Sequence, residues 1–154
     1  MAMETTKRAL LVISILQLIF AFPMFAGSIG IFGAIFGIIL AVIGIYVAAS
    51  KNAGESLITC FLITQGIMLI VFFGLVIGEG VALSKFKDCC TEGVDCTGVT
   101  DPVGVMKNVD PCTARRRMEA SVAFFFFDIV FTVISCLTTC VLARELGTPP
   151  PNQM

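Results

Sequence analysis

IGIFGAIFGIILAVIGIYVAA, residues 29–49, runs for 21 residues without one charged side chain. At about 1.5 Å of rise per residue, a helix of this length matches the roughly 30 Å hydrocarbon core of a bilayer. Three more segments are long and predominantly apolar: Ala9 to Gly27 before it, then Leu57 to about Gly80 and Ala120 to Ala143 after it. The apolar character of the third runs on to Leu83, with Glu79 expected at the headgroups. The first two spans nearly fuse, since only Ala26, Gly27 and Ser28 break them. Pro23 should bend the end of the first, and Gly27 and Gly30 permit a tight reversal. Ser50 to Ser56 makes a second short turn, and one long polar loop, Ser84 to Glu119, joins the last two spans. The sequence therefore predicts an all-α, integral-membrane four-helix bundle, a single domain over residues 1–154.

Composition agrees. Apolar residues make up 57% of the chain, above the roughly 45–50% of ordinary soluble domains, and the mean hydropathy is +0.99. A formal net charge of -1 gives no footprint for nucleic acid. Histidine is absent, which removes the commonest general base and the commonest metal ligand. No cofactor or metal is expected, and no enzymatic activity. Cys136 and Cys140 are one residue too far apart for the C-x-x-C pair of a membrane thiol oxidoreductase, and the charged helix motifs of glutathione-linked membrane transferases are missing. Lys7 and Arg8 before an apolar run could open a signal peptide. That run is longer than a typical h-region, however, and small residues are poorly placed for cleavage.

The long loop holds Cys89, Cys90, Cys96 and Cys112. Four thiols in one polar loop fit the oxidising side of a membrane. Adjacent cysteines rarely bond to each other, which leaves two pairings. Cys89–Cys112 with Cys90–Cys96 is favoured because it nests a small loop inside one that clamps the ends; Cys90–Cys112 with Cys89–Cys96 is the alternative. The spacing lacks the C-x2–4-C pairs of structural zinc. Two arguments about orientation oppose each other. Lys85, Lys87, Lys107 and Arg115 to Arg117 would hold the loop in the cytoplasm by the positive-inside rule. The cysteines, and the first basic cluster at Lys7 and Arg8, favour cytoplasmic termini and an extracellular or lumenal loop, the topology expected here for a plasma-membrane or secretory-pathway protein. Of the cysteines within spans, Cys60 and Cys140 fall near the cytoplasmic boundary, where S-palmitoylation is chemically accessible. Burial as small hydrophobes is the plain reading.

Helices in lipid associate through close packing and hydrogen bonds. Gly30, Gly33, Gly37, Ala41, Gly44 and Ala48 place small residues along one face of the second span, and Gly74 and Gly78 form a GxxxG pair on the third. Packing within the monomer is the first reading of these seams, and self-association the second. Gln17, Gln65 and Asp128, with hydroxyls of Thr64, Thr132, Ser135, Thr138 and Thr139, supply the polar groups inside the spans. By helical rise Gln17 and Gln65 lie about 12 Å from one membrane face and Asp128 about 12 Å from the other. They should form an interhelical cluster, with Asp128 either hydrogen-bonded or protonated. Structural glue is the first role expected of that carboxyl and ion handling the second.

Phe32 to Ile39, continuing through Ala48-Ala49-Ser50-Lys51-Asn52 into Leu57 to Val71, resembles the membrane-spanning four-domain family of the B-lymphocyte antigen type over about a third of the chain. Cys89-Cys90 followed by Pro111-Cys112 is similar to the cysteine pattern of the large tetraspanin loop. Here, though, Thr91 replaces the glycine after the double cysteine and the loop is shorter. Arg115 to Arg117 leading through Phe124 to Asp128 resembles MARVEL-type proteins. All three resemblances imply non-enzymatic organisation, trafficking or modulation of membrane proteins. The expectation is an accessory or scaffold subunit that lies in the bilayer, associates with another integral membrane protein or with itself, and presents its loop to a partner. The alternative is a homo-oligomeric channel or transporter-like protein using Asp128, Gln17 and Gln65.

Overall fold

The computed structural model describes residues 2–26, 30–50, 54–86 and 111–147. Among them are four long helices and no strand: α1 (Ala2–Ala21), α2 (Gly30–Ala49), α3 (Glu55–Phe86) and α4 (Pro111–Gly147). Each carries a stretch long and apolar enough to cross a membrane. A 3-10 segment, Phe22–Ala26, follows α1. It begins one residue before Pro23, where the pyrrolidine ring disfavours the α conformation of its predecessor.

The helices outrun the apolar segments that announce them. α1 starts seven residues before Ala9, and α4 starts nine residues before Ala120, with Pro111 at its first position. Proline suits that position because its missing N–H would have no helical acceptor there. Cys112 and Arg115 to Arg117, expected in the loop, therefore lie on helix α4. α3 likewise continues past Gly80 to Phe86. Hydropathy marks where lipid ends, whereas helical hydrogen bonding continues into water. At its other end, α3 begins where the Gly54 carbonyl accepts from the Leu57 and Ile58 N–H groups at 3.0 and 3.3 Å.

α1 packs on α2 and α4, and α3 packs mainly on α4, with a looser seam against α2. Buried positions follow a 3–4 alternation on every helix. α4 buries Met118, Ser121, Phe125, Asp128, Thr132, Ser135, Thr139 and Leu142; α1 buries Leu10, Ser14, Gln17, Ala21 and, past its end, Met24. This is the spacing of left-handed four-helix bundles, in which knobs from one helix enter holes on the next. Outside the seams the surface is apolar, with Ile19, Ile39, Ile70, Phe126 and Leu137 among many exposed large side chains. That pattern suits lipid as solvent.

The end of the bundle where α1 begins is tied by polar contacts. Lys7 Nζ donates to the Ser50 carbonyl at 2.8 Å and Thr6 Oγ1 to Glu145 Oε1 at 3.3 Å. On α1, Phe20 meets the rings of Phe124, Phe127 and Phe131, with centroids 6.2, 5.5 and 5.2 Å away.

Candidate functional site

The inward seam of α4 is polar at five of its nine buried positions: Ser121, Asp128, Thr132, Ser135 and Thr139. Two glutamines reach it from opposite neighbours. Gln17 Nε2 on α1 donates to Thr132 Oγ1 at 2.9 Å, and Gln65 Nε2 on α3 donates to Ser135 Oγ at 2.5 Å. The hydroxyls of Thr132 and Thr139 turn back to the carbonyls of Asp128 and Ser135, each at 2.7 Å. Both glutamines thus clamp a neighbouring helix to α4. Thr64 and Thr138 bond only to carbonyls four residues back, on outer faces.

Helix α2 contributes space rather than side chains. A Cβ on Gly37 would stand 2.8 Å from Asp128 Oδ2 and 3.1 Å from the Ala21 Cβ; on Gly33 it would run into the Phe125 ring, and on Gly44 into Ser14 Oγ. Ala41 and Ala48 are buried on the same helix; the surroundings of Gly30 lie outside what is described. The small-residue seam of α2 therefore faces α1 and α4. On α3 the situation is the reverse. Gly66, Gly74 and Gly80 are exposed, with nothing within 4 Å of a Cβ built on any of them, and Gly78 is half-buried.

Asp128 is fully buried. Gln17 lies beside it; one N–H of its amide goes to Thr132 and the second is left near the carboxyl, although neither carboxyl oxygen is in a hydrogen bond of good geometry among the described residues. Gln65 Oε1 and Ser121 Oγ are likewise buried without one. Antiparallel pairing at Gln65–Ser135 brings Phe72 level with Asp128, and Glu79 level with Ser121, one heptad further along. Glu79 is fully buried, because it occupies the inward position of a helix that runs two turns beyond it.

Ser14, Ser121 and Glu79 were not singled out from the sequence as interior groups. The 3–4 spacing from Phe125 to Ser121, from Gln17 to Ser14, and from Gln65 through Phe72 to Glu79 carried that signal. Of the cysteines, Cys60 is exposed while Cys136 and Cys140 are half-buried, and all three thiols are free. Cys112 is half-buried in the first turn of α4 and is engaged with a partner. Cys89, Cys90 and Cys96 lie outside the described residues, and with them the disulfide pairing. Among the described residues no group of three or more His, Cys, Asp or Glu side chains is placed to hold a metal ion.

Comparison with family models, with curated proteins and with solved structures gives no match.

Proposed function

We propose that this chain is a non-enzymatic membrane subunit that associates laterally with another integral membrane protein. The observation that carries this reading is the contrast between α2 and α3. The glycines of α2 are filled by Phe125, Asp128 and Ser14, whereas Gly66, Gly74 and Gly80 of α3 face open space. Only 17% of the apolar stretch of α3 is buried within the bundle, against 44% for α2. A glycine facing lipid contributes no side-chain contact, but it lets a second helix approach its backbone closely. The lateral surface is accordingly assigned to α3. In this reading the termini are cytoplasmic and the loop between α3 and α4 is extracellular or lumenal. That loop is cross-linked in this reading through Cys89, Cys90, Cys96 and Cys112, the last of which lies in the first turn of α4. Purification in mild detergent followed by native mass spectrometry tests the proposal. A stoichiometric membrane partner, depleted in Gly74→Ile, supports it; the chain alone in both preparations refutes it.

A second reading, a homo-oligomeric channel or transporter-like protein, draws on the buried Asp128 and its neighbours Gln17 and Gln65. It requires a homo-oligomer whose conductance in planar bilayers is lost in Asp128→Asn.

A further inference from the structure

The middle of the interior holds more acceptors than it satisfies. Asp128 Oδ1, Asp128 Oδ2 and Gln65 Oε1 are buried acceptors, none in a hydrogen bond of good geometry among the described residues, with the Gln17 amide beside the carboxyl. An acceptor sealed from water without a donor costs several kcal/mol in order of magnitude, so a set of them implies something that donates.

Their surroundings form a compartment. Gln17 and Thr132 lie between the levels of Asp128 and Gln65, joined by the 2.9 Å bond, and Ser14 and Ser135 stand at the level of Gln65. Toward the loop, Phe125 is seated on Gly33, and Met24 is buried with it in the same apolar cluster. Toward the other end, Leu10, Ile58 and Leu142 are buried together. Polar residues therefore occupy the middle of the bundle with an apolar layer on either side, and Ser121 and Glu79 are buried beyond the one toward the loop.

The residues packed around Asp128 bring no second charge. α1 presents Ala21 and Gln17, α2 presents Gly37, and α3 presents Phe72. The nearest ionisable groups are Glu79, two turns along α3 from Phe72, and Cys136, two turns along α4. One carboxyl with scattered amide and hydroxyl oxygens is too few ligands for a dehydrated metal cation, which takes about six or more oxygens. A proton needs only one.

We infer that Asp128 is a proton-exchange site enclosed within the bundle, with Gly37 as the wall that sets its environment. The step is breakage of the carboxyl O–H bond: the proton passes to a water molecule admitted to the compartment, and the electron pair remains on the carboxylate. Gln17, Thr132 and Gln65 are positioning residues that give that water its other hydrogen bonds. The inference is independent of whether α3 recruits a partner.

Infrared difference spectra of the full chain in liposomes, recorded as pH is stepped, test it through the carbonyl stretch of a protonated carboxylic acid. The expected result is a titrating band that is lost in Asp128→Asn and retained in Glu79→Gln. Gly37→Ala should move the midpoint of that band, and Gly74→Ala, whose Cβ meets open space, should leave it in place. Should Asp128→Asn fail to fold, Asp128→Glu should displace the band in frequency. A spectrum with no band dependent on residue 128, a band that does not titrate, or a midpoint indifferent to Gly37→Ala overturns the inference. Failure here leaves the partner assay on Gly74→Ile unaffected, so the two conclusions fall separately.

Discussion

Gly37 and Asp128 share one volume: a Cβ on the glycine would stand 2.8 Å from the carboxyl oxygen Oδ2. The missing side chain on α2 is the space that the acid on α4 occupies. Gly37→Ala should therefore destabilise the bundle by about 1–3 kcal/mol, the usual cost of overpacking a filled core. Gly74→Ala, with nothing within 4 Å, should leave monomer stability unchanged. Unfolding midpoints of the two variants in the same detergent provide the comparison.

Phe125 is buried on α4 against Gly33. Phe125→Ala removes the ring that closes the polar compartment toward the loop. A loss of about 3–5 kcal/mol is expected for truncating a buried phenylalanine, read as a lowered unfolding midpoint. Phe126→Ala, on the exposed face next door, should cost far less.

The two glutamine clamps should contribute modestly, and as a coupled pair. Gln17→Leu and Gln65→Leu each remove one interhelical hydrogen bond. Such bonds average about 0.6 kcal/mol within membranes, with a maximum near 1.7. Their acceptors stand one turn apart on α4 and both glutamines serve one compartment, so the double variant should depart from the total of the two single losses. A double-variant cycle by denaturant unfolding checks this.

Thiol accessibility should separate the cysteines into classes. A membrane-permeant maleimide should modify Cys60, which is exposed, faster than the half-buried Cys136 and Cys140. With an impermeant reagent on intact cells, the proposed outer loop gives labelling only after reduction. Labelling of free loop thiols solely after permeabilisation would reverse the orientation.

The four helices were legible because each contains a long apolar run, and runs of that length have few alternatives to a helix in lipid. Their ends were not. Arg115 to Arg117 stop a hydropathy count, yet they do not stop hydrogen bonding along α4, so Cys112 moved from loop to helix. Gln17, Gln65 and Asp128 stood out as the polar exceptions within apolar runs, and all three are buried. Glu79 and Ser121 were harder to read, since each sits near the end of an apolar run where exposure is the default. Only their 3–4 spacing from Phe72 and Phe125 marks them as inward. Which helix would keep its glycines open was not legible either. The seam on α2 is the longer and more regular of the two, and that regularity is what the monomer consumes for its own packing against α1 and α4.

The claim that α3 is a lateral docking face is tested most directly by photocrosslinking in native membranes. A photoreactive residue is placed at Ile70 on α3, which is 74% exposed, or at Tyr46 on α2, which is 64% exposed. The account predicts a discrete protein adduct from position 70 that disappears when Gly74→Ile is added, with lipid adducts alone from position 46. Lipid adducts alone from both positions would contradict it.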